Sequence, residues 1–460
     1  MTFSQRPPAS AFVRRGECPT LQKPMLTGDG LLARLRPLDN RLSIAQLRAI
    51  AEAAAHFGNG IVEITARGSL QVRGLRAETV AAFEAAILAT AIVVPQGVGV
   101  ETPPLAGLDL DEAIDVRPLA TALRTAIMRH EPGFVLAPKL AVTLDGGGRF
   151  HLGGVDVDVK ASAFRDVDGV VRFRLMIPAG RAVRRGDGGA RLVAVVDAAG
   201  VVGAVLRILE AIAELGPAAR GRDLDLPTLE GGADERPPSP LAGLFSCRTG
   251  VPTQSPDDAR STVLGLVFAY CQARSDDLLA FCDAADAAGA GDIRLAPGHG
   301  LFVAGLSGEA AIGLRQTAAA RGFITDPGDN RRAIALCAGS RGCVSGHYDT
   351  RALAEAIRRG APDLIDGSFD LHLSGCAKGC AHPAPSLLTL VGAREGYGLV
   401  VNGAASDTPS AYIADSDIET ALQRLNDWVR QKKISGESVA DCLGRSGADA
   451  IADAVRLDWT

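Results

Sequence analysis

Residues 47–75 read LRAIAEAAAHFGNGIVEITARGSLQVRGL, and residues 278–306 read LLAFCDAADAAGAGDIRLAPGHGLFVAGL. The second stretch lies on the first without a gap, 231 residues further on: Leu47, Ile50, Ala54, Gly58, Val62, Ile64, Leu70, Val72 and Gly74 meet Leu278, Phe281, Ala285, Gly289, Ile293, Leu295, Leu301, Val303 and Gly305. A repeat on this scale changes the reading of the whole chain. In each copy apolar residues at helical spacing run to a glycine stop, and two short alternating stretches around a turn follow. Apolar stretches at 30–36 and 262–270 add an upstream strand, which makes each copy β-α-β-β. The expected fold class is α+β, with two pseudo-symmetric halves that each begin with a ferredoxin-like half-domain.

Between the copies, strands are expected at 140–144, 155–159, 170–177 and 191–196, with a helix at 202–215. A linker rich in Pro, Gly and charge follows at 216–240. After the second copy, helices are expected near 350–359 and 417–431. The organisation is thus a flexible leader (1–20), a first half-domain (21–95), a first α/β domain (96–215), the linker, a second half-domain (241–320) and a second α/β domain (321–460).

The 460 residues are 47% hydrophobic and 22% charged, which is globular composition. A net charge of only −5 gives no whole-molecule attraction to nucleic acid or an acidic membrane surface. No stretch of about 20 uncharged apolar residues is present, and the N-terminus lacks a signal-peptide pattern, so a cytoplasmic protein is expected. The basic residues are nearly all arginine, with lysine only at 23, 139, 160, 378, 432 and 433.

Four of the nine cysteines stand in two pairs, Cys337-Ala-Gly-Ser-Arg-Gly-Cys343 and, after a 32-residue interval, Cys376-Ala-Lys-Gly-Cys380. In a reducing compartment such a group reads as a metal site and not as disulfides. Four thiolates on two loops suit a 4Fe–4S cluster, with Arg341 and Lys378 to offset its charge. Zinc is the alternative, although structural zinc favours a tighter knuckle. Cys18, Cys247, Cys271, Cys282 and Cys442 stand alone; Cys271 and Cys282 read as small core residues.

The C-x5-C and C-x3-C pairs, placed after the second of two duplicated half-domains, resemble the nitrite and sulfite reductase family, which carries sirohaem and a 4Fe–4S cluster. The resemblance runs over nearly the whole chain. It implies that Cys337, Cys343, Cys376 and Cys380 ligate the cluster and that a tetrapyrrole lies between the halves. Leu32-Ala-Arg34-Leu-Arg36 and Thr65-Ala-Arg67-Gly-Ser-Leu-Gln71-Val-Arg73 resemble the family's arginine-bearing segments. Paired charge-assisted hydrogen bonds make arginine a suitable holder of tetrapyrrole carboxylates.

Two departures matter. Where the reductases carry an Asn-x-x-Arg-Asn segment for their oxyanion, this chain reads Gln96-Gly-Val-Gly-Val-Glu101, and Pro138-Lys139-Leu140-Ala141 keeps one lysine of two. Fewer cations weaken capture of sulfite or nitrite. Thr27-Gly28-Asp29-Gly30, Leu105-Ala-Gly-Leu-Asp109 and Leu144-Asp145-Gly-Gly-Gly148 look instead like another branch of the superfamily, the oxygen-dependent precorrin-3B synthases. That resemblance implies a monooxygenase of aerobic cobalamin biosynthesis which hydroxylates precorrin-3A at C20 and closes a γ-lactone. Its electrons would come from NADH through a partner reductase, and sirohaem is not expected. Sirohaem-dependent sulfite or nitrite reduction is the alternative. Arg34, Arg36, Arg67, Arg73, Lys139 and Arg149 are the expected substrate-binding residues. His299 and His382 are the candidates for the oxygen-activating centre, where a mononuclear non-haem iron is considered; the chain is expected to act as a monomer.

Overall fold

The computed structural model describes residues 19–95, 97–130, 135–179, 190–229, 239–248, 260–382 and 384–456. Most of the expected leader, together with Cys18 and Gln96, lies outside them, whereas Pro19 and Leu21 are already buried.

The first half opens with β1 (Met25–Thr27), β2 (Gly30–Leu35), β3 (Arg41–Leu42), α1 (Ile44–Phe57), β4 (Ile61–Ile64), β5 (Leu70–Leu75) and α2 (Ala77–Leu88). It continues with β6 (Gly99–Glu101), α3 (Arg117–His130), β7 (Ala141–Asp145), β8 (Val159–Arg165), β9 (Val171–Pro178), β10 (Ala190–Asp197) and α4 (Val201–Glu214). The second half repeats the series: β11 (Gly243–Arg248), β12 (Arg260–Val267), β13 (Gln272–Arg274), α5 (Ser275–Ala287), β14 (Asp292–Ala296), β15 (Gly300–Leu306) and α6 (Gly308–Ala320). Then come β16 (Ile334–Leu336), the single turn α7 (Gly339–Gly342), α8 (Thr350–Gly360), β17 (Leu371–Ser374), β18 (Ser386–Ala393), β19 (Gly396–Gly403), β20 (Ala411–Ile413), α9 (Ile418–Lys432) and α10 (Val439–Val455).

The duplication extends to backbone detail. The β2–β5 ladder slips between Leu31 and Ala33, and the β12–β15 ladder slips between Thr262 and Leu264, at the same offset of 231. Asp39 and Asn40 hold φ of 54° and 55°; their counterparts Tyr270 and Cys271 hold 60° and 66°. Left-handed backbone costs a non-glycine residue about 1–2 kcal/mol, and it is used here to turn the chain out of its own sheet. The first half-domain sheet runs β1-β2-β5-β4-β13 and the second runs β11-β12-β15-β14-β3, so each is completed by a short strand from the other half. Tyr270 is held by its hydroxyl on Glu355 (2.6 Å), and Asp39 by Arg124 (2.7 Å).

Helices α1 and α5 pack together beneath both sheets. Leu47, Ile50 and Ala54 share one core with Leu278, Phe281 and Ala285. Ser43 caps α1 by accepting from the Gln46 N–H, and the Gln46 side chain accepts in return from the Ser43 N–H. The two half-domains are therefore one body around a pseudo-twofold axis.

The α/β sheets also match each other. In β6-β7-β8-β9-β10 and in β16-β17-β18-β19-β20 the first three strands are parallel and the last two antiparallel. The expected strand at 155–159 is not one. Val155 turns back onto the Leu152 carbonyl, Asp158 accepts the Ala141 N–H, and β8 begins only at Val159. Part of the expected linker packs on the first α/β sheet: Arg220 makes a two-pronged pair with Asp158 (2.8 and 2.8 Å), and the Leu229 N–H donates to Leu192. Among the described residues no helix is long and apolar enough to cross a membrane.

Candidate functional site

Because β16 and β17 are parallel neighbours, their C-terminal ends open on one edge of the sheet, where α/β folds present ligand-binding loops. Cys337 follows β16 and Cys343 ends the α7 turn; Cys376 and Cys380 follow β17. The two loops are stitched by backbone: the Cys337 N–H donates to Leu373, and the His347 N–H to Gly375 (2.9 Å). The Gly375 N–H donates to Cys337 Sγ at 3.1 Å. Burial, together with the Cys380 and Cys376 sulfurs, pushes the Cys337 thiol up, against the pull of the Gly375 and Gly339 N–H groups. No disulfide joins Cys337, Cys343, Cys376 and Cys380.

The first half closes the site from a third side. The turn between β1 and β2 places Gly28 against Cys343 so closely that a Cβ on Gly28 would lie 2.0 Å from Cys343 Sγ. The Gly28 carbonyl also accepts the Val344 N–H (2.9 Å). Among the described residues no three His, Cys, Asp or Glu side chains gather as they would around one ion. A 4Fe–4S cluster asks for a different arrangement, one thiolate at each of four irons. Four sulfurs on two loops, a backbone N–H already aimed at one of them and a glycine floor fit that group; Cys337, Cys343, Cys376 and Cys380 are the residues that would hold it.

The arginines expected to bind carboxylates separate into four sets. Arg73 is committed within the protein. Its Nε and Nη2 meet Asp29 at 2.7 and 2.7 Å, Nη1 meets Glu63 at 3.3 Å, and its side chain is 9% exposed. Burial alone would raise the Asp29 carboxyl, but Arg73 outweighs it and holds the carboxyl below its usual value. Arg34 donates from Nε to the Gln71 amide oxygen at 2.9 Å, with Gln71 in turn donating to Glu63. Arg36 and Arg67 share a single oxygen, Glu101 Oε1, at 2.6 and 2.9 Å, and keep partly exposed side chains. Lys139 is exposed. Arg149 lies over the Phe245 and Phe150 rings, and its N–H donates to Asp109.

His299 takes the place of Gly68 in the repeat, at φ 66°, and its Nδ1 lies 2.7 Å from the Ile64 carbonyl of the first half. Burial lowers its pKa, aided by His382 and against the pull of the Ile64 carbonyl, Asp370 and Glu63. His382 Nδ1 lies 3.0 Å from the Ala384 carbonyl, and its ring packs on His372 (centroids 5.6 Å apart). Sequence reasoning missed His372. It is fully buried on β17 with neither ring nitrogen hydrogen-bonded, and burial, then His382, pushes it down to about 4. Alternation in Leu371-His-Leu-Ser374 was its only signal. Asp29, Glu63 and Glu101 were also missed as the arginines' partners; they stand 44, 10 and 34 residues from the arginines they hold.

Residues 23–90 match the nitrite/sulfite reductase ferredoxin-like half domain. The chain is 45% identical over 457 residues to a precorrin-3B synthase of Sinorhizobium, a match that covers 96% of this chain and 95% of the relative. It is 25% identical to the ferredoxin–nitrite reductase of Synechococcus elongatus over 80% of this chain and 77% of that one. The solved structure of Mycobacterium tuberculosis NirA superposes with a TM-score of 0.68, at 18% identity, over 92% of this chain and 84% of that one, and shows a shared fold. Identity at this level, over nearly the full length of both proteins, makes the chain a member of the precorrin-3B synthase family, within the nitrite/sulfite reductase superfamily.

Proposed function

We propose that the chain converts precorrin-3A to precorrin-3B. The observation that carries this reading is the 45% identity to a precorrin-3B synthase across 96% of the chain. One atom of O2 enters at C20 as a hydroxyl and a ring A acetate closes into a γ-lactone; the other oxygen atom leaves as water, and NADH supplies two electrons through a partner reductase. The 4Fe–4S cluster, when bound, supplies one-electron relay. The residues of this chain hold and orient the macrocycle. Arg36 and Arg67 share one oxygen of Glu101, Arg36 keeps an Nη2 with no hydrogen-bond partner, and these two arginines engage substrate carboxylates. Arg73 acts indirectly, because its pairing with Asp29 keeps the Gly28 turn in place against Cys343. Arg34, Arg149 and the exposed Lys139 hold further carboxylates of the macrocycle. His299, whose Nδ1 lies against the Ile64 carbonyl of the first half, and His382 are the candidates for assisting oxygen activation.

The test is anaerobically purified, cluster-loaded protein given O2, reductant and precorrin-3A. Gain of one oxygen atom in the product mass is expected, and unchanged substrate mass refutes the reading. Sirohaem absorption that survives gel filtration, with consumption of sulfite or nitrite, would establish the reductase alternative instead.

A further inference from the structure

Glu101 is the last residue of β6 and is 4% exposed. Its backbone is fixed by parallel pairing, with Glu101 opposite Thr143 of β7. Its carboxylate reaches between two guanidinium groups from separate segments, Arg36 after β2 and Arg67 in the turn between β4 and β5, and one oxygen accepts from both. Arg36 Nη2 is buried with no hydrogen-bond partner. Two arginines around one carboxylate leave net positive charge and unused donors, while the point between the guanidinium groups, where a small oxyanion binds best, is filled by the protein itself.

We propose that Glu101 is a specificity-determining residue, a tethered counter-anion that keeps small inorganic oxyanions out of the Arg36–Arg67 pair and leaves the remaining donors to a carboxylate carried on a large substrate. A tethered carboxylate competes at a high effective concentration. A free sulfite or phosphate ion must displace it and has nothing else to hold on to. A polycarboxylate macrocycle is anchored at several points and needs only the unused N–H groups. The proposal rests on the reading of Arg36 and Arg67 as substrate-carboxylate binders.

The experiment titrates sodium sulfite, and separately inorganic phosphate, into cluster-loaded full-length protein by calorimetry. Glu101→Gln keeps the shape and removes the charge. It is expected to bind sulfite at least tenfold more tightly than the unsubstituted chain, and Arg67→Ala in the same background is expected to abolish the gain. Equal affinity in E101Q and the unsubstituted protein overturns the proposal. If E101Q does not accumulate folded, Glu101→Ala purified in formate gives the same answer. Formate then raises the melting temperature of E101A with increasing concentration and has no such effect on the unsubstituted chain; an E101A chain insensitive to formate overturns the proposal. The underlying reading fails separately, if Arg36→Ala and Arg67→Ala both bind a porphyrin octacarboxylate as tightly as the unsubstituted protein.

Discussion

Replacing Gly28 by alanine adds one methyl group 2.0 Å from Cys343 Sγ. Non-bonded heavy atoms rest about 3.5–4.0 Å apart, so the sulfur and the new carbon must separate by roughly 1.5–2 Å. Neither side yields easily. The Gly28 carbonyl is held by the Val344 N–H, and the next residue, Asp29, is gripped at two points by Arg73. Overpacking of this kind costs about 1–3 kcal/mol, which the fold can absorb. Metal ligation cannot, because ligand distances are set to about 0.2 Å. The sulfur therefore rotates away and one thiolate is lost. The expected result for G28A is iron and sulfide falling below four of each per chain, with weaker visible absorption and unchanged far-ultraviolet circular dichroism. Gly154→Ala is the control, since a Cβ there meets nothing within 4 Å. A G28A protein with a full complement of iron and sulfide would show that Cys343 is not held as a ligand against this turn.

Other substitutions probe different parts of the same arrangement. Cys376→Ser and Cys380→Ser are each expected to lower bound iron to below half that of the unsubstituted chain, read by metal analysis after anaerobic purification. Arg73→Ala leaves Asp29 and Glu63 without their cation, and loss of one partner from a buried pair costs about 3–5 kcal/mol; the urea midpoint should fall accordingly, and an unchanged midpoint would count against a structural role. Glu112 is pushed up to about 7, chiefly by burial, despite its contacts with the Gly107 N–H and Arg248. Its folded-state value lies above the ordinary 4.5, so the folded chain binds the proton more tightly, and stability falls as pH rises from about 4.5 through about 7. The loss is at most about 3 kcal/mol. Glu112→Gln should flatten that slope in urea midpoints measured across the interval, and an unaltered slope would exclude Glu112 as its source.

The duplication was legible because its core positions are apolar in both copies, and packing tolerates a change such as Ile50 to Phe281 but not a change of period. The cysteine pairs stood out as candidate ligands because cluster ligation calls for thiolates and little else. The exchange of β3 and β13 was not, since strands of two and three residues are too short to show alternation. The β18–β19 hairpin escaped for the opposite reason: it is buried on both faces, so its run of Leu, Val and Gly carries no period of two. At the site, arginine identity pointed to anions in general, and only the folded chain shows that Asp29 and Glu101 are the anions that Arg73 and Arg36 meet. Distance along the chain hid those pairs, as no local pattern links Arg36 to Glu101.

The borrowed strands also bear on how the chain is made. Gln272 of β13 hydrogen-bonds Glu63 of β4 across 209 residues of sequence. At a synthesis rate of about 5–20 residues per second, the N-terminal sheet waits roughly 10–40 s for its last strand. Through that interval the β4 edge has its backbone donors and acceptors unpaired, the condition under which sheets join to the wrong neighbour. Slow translation through the first half therefore lengthens the most vulnerable period of the protein's life. A chaperone that covers an open sheet edge should raise the yield of this chain more than one that covers apolar side chains.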